Sequence, residues 1–405
     1  MKDLSSSLAD QPVLPRRLGP ETSLWLTGLI LLSFLAASSV PSPLYALYRE
    51  MWGFSPVVLT IVFASYAVAL LIALLVFGAL SDYRGRRQVI MGSLVLEIVA
   101  LVLFWRADSV QWLLAARILQ GIATGIATSA LGAGLVDLHR DRGSLINSVA
   151  PMLGLGVGGL GASLLVQFAP APTRLVFDIL LLVFALLLVA AAFLPETATR
   201  RPGAWRSLRP RVSVPESARA TMLRVLPVST ASWALGGFYF SLGPTLARTL
   251  VGQGGPVVGG VMIGALSMAS AAAVALVRKT PPPLAIRNGA ATLAAGVLVS
   301  LVGLQGMWPA VALLGTVMAG AGFGSAFSGS LRSLVPLAAP QERAALMAGF
   351  FAAAYLAFSL PAIVAGLLTS RIGLHATALG YGSAIALLAL ITCAAAARDM
   401  APART

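Results

Sequence analysis

Long apolar runs, separated by short polar segments, occupy nearly all of the sequence from Ser23 to the C-terminal region. A helix of about twenty apolar residues crosses the roughly 30 Å hydrocarbon core of a bilayer, and twelve runs approach or exceed that length. The pattern therefore predicts an all-α membrane protein with twelve transmembrane helices. We place these spans at residues 23–46, 57–80, 88–105, 111–136, 145–168, 173–194, 222–249, 255–277, 284–305, 308–334, 343–370 and 373–396.

The composition agrees with this interpretation and excludes other classes of protein. A chain of 405 residues would normally suggest two or three soluble domains, but 58% of the residues are hydrophobic and the mean hydropathy is +0.90. The first apolar run is too long for the hydrophobic core of a signal peptide, so we interpret it as the first membrane helix. Cys393 is the only cysteine, which excludes a disulfide framework and a thiolate metal site.

The positive charges lie mainly on one side of the predicted membrane. The formal net charge is +14, and with the N-terminus inside, cytoplasmic segments hold 22 of the 28 Lys and Arg residues. Outer segments hold five, and Arg117 lies within a span. This bias predicts a multi-pass protein with both termini in the cytoplasm. Because topology explains the basic balance, no nucleic-acid partner is expected.

The longest polar segment, Pro195–Arg219, is rich in Pro and Arg and separates six predicted spans from six others. We expect a cytoplasmic linker with little fixed structure at 195–221, between two six-helix halves at 1–194 and 222–405. An internal repeat supports duplicated halves. Its two matches pair Gly121–Ser129 with Gly320–Ser328 at an offset of 199, and Ser42–Ala46 with Gly243–Ala247 at an offset of 201.

A dense cluster of charges follows the second predicted span, in the stretch Gly78–Ile90. Arg86 and Arg87 suit the cytoplasmic headgroup region, and an ordinary positively charged loop accounts for both. Such a loop does not account for Asp82, an acid at the end of a helix, or for Gly85, which permits a tight turn. We therefore interpret the cluster as functional.

Polar residues share one face of the fourth predicted span. Arg117, Gln120 and Gly121 occupy positions i, i+3 and i+4 of a helix. An arginine at the centre of a membrane helix costs about 2.5–3.5 kcal/mol on insertion scales, so its presence indicates a function. The alternative is an arginine near the end of the span that extends its guanidinium to the membrane surface.

Acidic residues are rare in the predicted spans. Glu97 alone lies near the middle of a span, and Asp178 lies about one turn into the sixth. Ionisable groups inside a membrane mark candidate proton pathways, so Glu97 and Asp178 join Arg117 as candidates for proton coupling. The alternative for Glu97 is a protonated residue that the structure merely tolerates. The predicted spans of the second half contain no acid.

The fifth predicted span is rich in glycine, with five glycines within eight residues. Small residues allow two membrane helices to approach closely. The eighth span offers a partner with small residues, Gly259-Gly260-x-x-x-Gly264. We expect four residues of the fifth span to serve helix packing: Pro151, Gly154, Gly158 and Gly159.

Several of these patterns resemble signatures of one transporter family, the major facilitator superfamily. The pattern G-x-L-x-D-x-x-G-R-R at 78–87 resembles its loop between spans 2 and 3, and R-x-x-Q-G at 117–121 resembles its span 4 signature. Leu194-Pro-Glu-Thr197 resembles an element that closes the first half in many members. The fifth span resembles the antiporter signature G-x-x-x-G-P-x-x-G-G but departs from it, since alanine precedes Pro151 and the final glycine pair lies further on.

The resemblance implies two halves that rock about a central site. It assigns five residues of the first loop to a conformational gate: Gly78, Asp82, Gly85, Arg86 and Arg87. In this gate Asp82 would engage the start of the eleventh span, near Ala344, and the resemblance associates Arg117 with proton coupling. The second-half counterpart of the loop, Arg278–Pro283, lacks the acid and the glycine, so we expect one gate only.

The chain is most similar to bacterial twelve-helix exporters that exchange drugs for protons, which implies efflux across the bacterial inner membrane. We expect a monomer that uses the proton gradient and needs no cofactor or metal. Spans 1, 4, 7 and 10 would form a cavity for a small amphipathic organic molecule, lined by Tyr45, Gln120, Trp233, Tyr239, Phe240 and Ser328.

The scarcity of acids in these spans argues against dications as obligate substrates. Two alternatives stay open at this stage: a pH-independent or importing metabolite facilitator, and a non-transporting membrane sensor. An enzyme is not expected, since the sequence shows no Ser–His pairing and no cluster of metal ligands.

Overall fold

The computed structural model describes residues 17–199, 201–210, 212–252, 255–339 and 342–399. Helices dominate this part of the chain, and it contains no strand. Both termini, which the charge bias predicts in the cytoplasm, lie outside the described residues. The helices of the first half are α1 (Pro20–Ser39), α2 (Pro41–Trp52), α3 (Pro56–Phe77), α4 (Leu80–Arg84), α5 (Arg86–Arg106), α6 (Val110–Leu138), α7 (Arg140–Phe168) and α8 (Leu175–Ala191).

A short helix, α9 (Ala204–Ser207), lies in the segment predicted as a linker. The helices that follow are α10 (Glu216–Ser241), α11 (Gly243–Val251), α12 (Pro256–Leu276), α13 (Pro282–Gln305), α14 (Pro309–Leu334), α15 (Arg343–Ile372) and α16 (Leu374–Asp399). α10 begins at Glu216, five residues before the predicted end of the linker at 221. Pro215 immediately before it and the acid Glu216 in its first turn suit the beginning of a helix.

The all-α membrane architecture predicted from the sequence is confirmed. Within the described residues, ten helices are long and apolar enough to cross a membrane. The sixth predicted span corresponds to the shorter apolar helix α8, of 17 residues, and the seventh corresponds to α10 and α11 together. A count of twelve membrane crossings therefore stays a prediction at these two positions.

The first helix of each half is interrupted by a proline. Span 1 breaks at Val40, where α1 ends and α2 begins with Pro41, and span 7 breaks at Leu242, just before Gly243-Pro244. Proline has no backbone N–H and cannot bond to the carbonyl four residues earlier. Pro41 thereby leaves the carbonyl of Ala37 without its helical donor.

The helices pair in the same way in both halves. In the first half α1 packs on α7, while α3 and α5 pack on α6; in the second half α10 packs on α15, while α12 and α13 pack on α14. The halves meet where α7 packs on α12 and α3 packs on α15. Such parallel pairing is expected of duplicated halves, whose boundaries at 194 and 222 stay a prediction.

The two ends of the bundle differ in their charged residues. One end carries α4, α9 and the beginning of α15, and we call it the linker face. The other end, the opposite face, carries the ends of α2 and α11, where Arg248 Nη1 lies 3.0 Å from Glu50 Oε1. This ion pair joins the two halves at the opposite face.

Candidate functional site

A polar network is buried within the first half. Glu97 and Gln120 are 0% exposed and Arg117 is 1% exposed, although all three lie in membrane-spanning helices. Gln120 Nε2 donates to Glu97 Oε1 at 2.9 Å, and Arg117 Nη1 donates to Gln120 Oε1 at 2.8 Å. Gln120 thus connects an acid of α5 with a base of α6.

The same network holds the interrupted first span. Gln120 Nε2 also donates to the carbonyl oxygen of Ala37 at 3.2 Å, which is the carbonyl that Pro41 leaves without a helical donor. Arg117 Nη1 donates to the next carbonyl, that of Ser38, at 2.9 Å. Because buried carbonyls need a donor, the α6 side chains replace part of the hydrogen bonding that the break removes.

Aromatic rings surround the Arg117 guanidinium. Its Cζ lies 4.4 Å from the ring centroid of Tyr66 and 6.0 Å from those of Tyr45 and Phe63. These contacts stabilise a cation inside an apolar bundle. Arg117 therefore does not extend its guanidinium to the membrane surface, because its side chain is enclosed within the bundle.

Only one of the two carboxyl oxygens of Glu97 forms a hydrogen bond among the described residues. Its Oε1 accepts from Gln120, whereas its buried Oε2 has no hydrogen-bond partner among the described residues. Glu97 is recognisable in the sequence by its depth in a span alone, and no sequence pattern indicates its contact with Gln120. The missing information was that α5 packs on α6 with these two faces together.

Asp178 lies apart from this network. It is exposed in the first turn of α8, and none of the contacts of Glu97, Arg117 or Gln120 described above reaches it. The structure therefore brings together two of the three predicted proton-coupling residues, through Gln120, and leaves Asp178 outside.

A second polar network lies at the linker face, in the predicted gate. Arg86 forms an ion pair with Asp82, donates through Nη1 to Ser81 Oγ at 2.6 Å, and donates through Nε to Asp137 Oδ2 at 3.2 Å. Arg87 Nη1 lies 3.5 Å from the carbonyl oxygen of Ala192. Arg86 therefore ties the α4 turn to the end of α6.

Glu196, in the element after the sixth span, caps this turn. Its Oε1 accepts a hydrogen bond of 2.6 Å from the backbone N–H of Arg86, which is the first residue of α5. A negative charge at the N-terminus of a helix is favourable. Gly85 has φ +96°, and a Cβ there would lie 2.4 Å from Glu196 Oε2. Both elements are recognisable in the sequence, but their contact is not.

We expect Gly85→Ala to destabilise the protein more than Gly373→Ala. Both glycines have positive φ, so both variants carry the backbone strain of about 1–3 kcal/mol that such conformations cost other residues. Only Gly85→Ala also displaces the Glu196 carboxylate, because nothing lies within 4 Å of a Cβ at Gly373. Thermal unfolding of the purified variants in detergent measures the difference. Equal losses of Tm would show that the Glu196 contact contributes nothing.

Asp82 pairs within its own half in this structure. Its predicted partner, the start of α15 at Arg343, is contacted instead by the linker, where the backbone N–H of Ser213 lies 3.4 Å from the carbonyl oxygen of Ala345. Engagement of Asp82 with α15 stays a prediction, and it requires a rearrangement at the linker face.

We expect Asp82→Asn to insert and fold normally but to transport slowly. Arg86 keeps Asp137 and Ser81 as partners, so the turn persists, whereas the acid that would engage α15 is lost. Flux in proteoliposomes and thermal unfolding together test this expectation. Glu21→Gln is a matched control, because Glu21 forms an exposed ion pair with Arg142 at the same face. Normal turnover of Asp82→Asn would contradict a gating role.

The residues predicted to line one cavity lie in three environments. Tyr45 and Gln120 are buried in the core of the first half, and Phe240 is 4% exposed. Tyr239 lines an apolar cavity within the second half, where its hydroxyl lies 2.8 Å from Thr316 Oγ1. Trp233 and Ser328 are half-buried on α10 and α14.

Trp233 is the centre of an aromatic cluster. Five rings lie with centroids 5.0–6.5 Å from its own, those of Phe323, Phe327, Phe351, Tyr355 and Phe358. They belong to α14 and α15, while apolar side chains of α7, including Met152, pack against the cluster from the other half. The cluster therefore lies where the halves meet, and Trp233 is the one ring of it among the residues predicted to line the cavity.

The glycines of α7 lie at two helix contacts. A Cβ at Gly154 would lie 2.3 Å from the carbonyl oxygen of Leu32, and one at Gly158 would lie 2.1 Å from that of Ala36, both in α1. Gly159 faces Ile263 of α12, and Pro151 lies inside α7. Two of these glycines thus allow α1 to approach, next to the break that Gln120 and Arg117 hold.

Comparison with known proteins agrees with this architecture. The sequence profile of the Major Facilitator Superfamily matches residues 26–318. The MFS antiporter QDR2 of Candida albicans is 32% identical over 190 residues, 44% of this chain and 37% of that relative. The multidrug resistance protein MdtL of Citrobacter koseri is 27% identical over 280 residues, 66% of this chain and 69% of the relative. The match to the Candida protein thus spans little more than a third of its length.

A solved structure shows the same fold over almost the whole chain. The xylose transporter XylE of E. coli, in a partially occluded inward open conformation, superposes with a TM-score of 0.73 at 15% sequence identity. The superposition covers 95% of this chain and 98% of that one. Given the helical bundle, the loop and span 4 networks and the profile match over most of its length, the chain belongs to the Major Facilitator Superfamily of membrane transporters.

Proposed function

We propose that this transporter exports small amphipathic organic molecules in exchange for protons, by alternating access. The observation that carries the proposal is the buried Glu97–Gln120–Arg117 network, in which Glu97, the candidate proton carrier, is linked through Gln120 to the break in the first span. The distant relatives named as an antiporter and as a multidrug resistance protein support the same direction of transport.

Protonation of Glu97 would change the hydrogen bonds of Gln120. A carboxylate only accepts, so it takes the Nε2 hydrogen of Gln120, whereas a carboxylic acid also brings a donor of its own. Gln120 shares that amide group between Glu97 and the Ala37 carbonyl at the break. A change in the protonation of Glu97 in α5 would thereby alter the hydrogen bonding of α1, which packs on α6 and α7.

In this structure the ion pair of Glu50 with Arg248 joins the two halves at the opposite face, while Asp82 is paired within its own half at the linker face. We infer that, during the transport cycle, a contact of Asp82 with the second half alternates with the Glu50–Arg248 contact. Breaking Glu50–Arg248 would accompany engagement of Asp82 with the start of α15, and the two six-helix halves would rock about the central aromatic cluster.

The membrane setting of this proposal follows from the charge bias. The linker face, with α4, α9 and most of the basic residues, would face the cytoplasm, and the protein would act as a monomer in a bacterial inner membrane. No cofactor enters the cycle, since the proton gradient supplies the free energy.

Reconstitution into proteoliposomes with an imposed pH gradient tests the function. A panel of drugs, sugars and organic acids is offered, and we expect gradient-driven movement of at least one amphipathic drug. Counterflow that does not depend on pH would favour a metabolite facilitator. Tight binding of a ligand without any flux would favour a sensor.

A further inference from the structure

A row of unpartnered polar groups lies beside the aromatic cluster. Ser229, Ser232 and Trp233 of α10 occupy positions i, i+3 and i+4 and so share one face of the helix. Both serine hydroxyls and the indole Nε1 are buried and have no hydrogen-bond partner among the residues that the structure describes.

The two serines differ from other buried hydroxyls of the bundle. Ser241, Ser270 and Ser330 each donate to the carbonyl four residues earlier, as hydroxyls in apolar helices usually do. Leaving a buried polar group unpaired is unfavourable, so three such groups on one face indicate a site completed by a ligand. The indole sets the chemistry, because its N–H can only donate.

The aromatic rings around Trp233 favour a planar ligand. Four of the five rings around Trp233 meet it edge to face, at interplanar angles of 63–80°, and the Phe323 ring is tilted at 56°. A planar aromatic ligand can join this pattern with little rearrangement, because edge-to-face contacts are favourable between ring centroids 4.5–7 Å apart. Trp233, Phe327, Phe351, Tyr355 and Phe358 are only half-buried, which leaves ring surface accessible.

The spans of the second half offer the cluster no carboxylate that could pair with a cationic ligand. The sequence contains no Asp or Glu between Glu216 and Glu342, nor between Glu342 and Asp399, so the spans of the second half offer no carboxylate. The neighbouring side chains of α7, Val149, Met152, Leu153 and Leu155, are apolar. A ligand here meets hydrogen-bond donors and aromatic rings without a counter-ion.

We propose that this face of α10 and the aromatic cluster form the substrate site, and that it selects planar aromatic molecules carrying an uncharged or anionic hydrogen-bond acceptor, such as a ring carbonyl. Trp233 Nε1 donates to that acceptor, and the two serine hydroxyls adapt to further polar atoms. The proposal rests on the proposed transport function and narrows its substrates.

Three bicyclic probes of similar size test the selection. Coumarin carries a ring carbonyl, naphthalene carries no acceptor, and N-methylquinolinium carries a fixed positive charge. Binding to the full chain in nanodiscs is measured by calorimetry, with empty nanodiscs subtracted. We expect coumarin to bind about tenfold more tightly than either other probe, the discrimination that one hydrogen bond of about 1.4 kcal/mol supplies.

Trp233→Phe removes the N–H and keeps an aromatic ring. We expect it to lower coumarin affinity about tenfold, to the level of naphthalene, and to leave naphthalene affinity unchanged. Trp25→Phe is the matched control, since Trp25 is 59% exposed and its Nε1 already donates to Glu21.

Three results would overturn the proposal. They are equal binding of coumarin and naphthalene to the unaltered chain, tightest binding of N-methylquinolinium, and unchanged coumarin affinity in Trp233→Phe. The first two results are measured on the unaltered chain, so the proposal can still be tested if Trp233→Phe does not fold. No gradient is present, so failure of proton coupling would leave these binding results intact.

Discussion

Glu97→Gln is expected to abolish pH-gradient-driven transport while substrate counterflow continues. The glutamine has nearly the shape of the protonated acid and can still accept from Gln120, so the buried network keeps its geometry. It cannot gain or lose a proton, so the step that couples proton movement to the first span is removed. We expect accumulation against a gradient to fall below detection, and the pH dependence of counterflow to flatten.

The control for this variant is Asp178→Asn. It makes the same change of charge in a membrane helix, at an exposed position that the Glu97 network does not reach. Both variants are assayed in the same proteoliposomes, with a substrate identified from the panel. If the pH dependence of transport is unchanged in Glu97→Gln, Glu97 has only a structural role. If Asp178→Asn loses its pH dependence, the proton pathway includes α8.

Arg117→Ala is expected to uncouple substrate flux from the pH gradient and also to weaken the fold. Removal of the guanidinium leaves two buried acceptors, the Ser38 carbonyl and Gln120 Oε1, without their donor. A buried polar group that loses its partner costs about 1–3 kcal/mol, so a clear loss of Tm should accompany the loss of coupling.

Arg117→Lys separates these two effects. Lysine keeps the positive charge but replaces the planar guanidinium with a single ammonium, so it cannot reproduce the same set of donors. We expect it to fold more stably than Arg117→Ala and still to be coupled poorly. Arg142→Ala, which removes an exposed partner of Glu21, is the control. Full gradient-driven transport by either Arg117 variant would show that proton coupling does not require this residue.

The sequence-based prediction of the site was most complete where a pattern is local. Arg117, Gln120 and the loop at 78–87 were identified because their spacing falls within a single turn or a single helix face. The substrate cavity was predicted from the numbering of spans alone, and its residues lie in separate environments. Tyr45 and Gln120 belong to the core of the first half, whereas Trp233 belongs to the aromatic cluster between the halves.

The class of the protein, its long apolar helices and the candidate functional segments can be predicted from the sequence alone. These follow from apolar length, charge placement and proline position, which act on each segment independently of its neighbours. The tertiary structure is needed to show that Glu97 contacts Gln120, that Gly85 makes room for Glu196, and that five rings surround Trp233. The partners in these contacts are separated along the chain, and which faces of two helices meet depends on how the whole bundle packs.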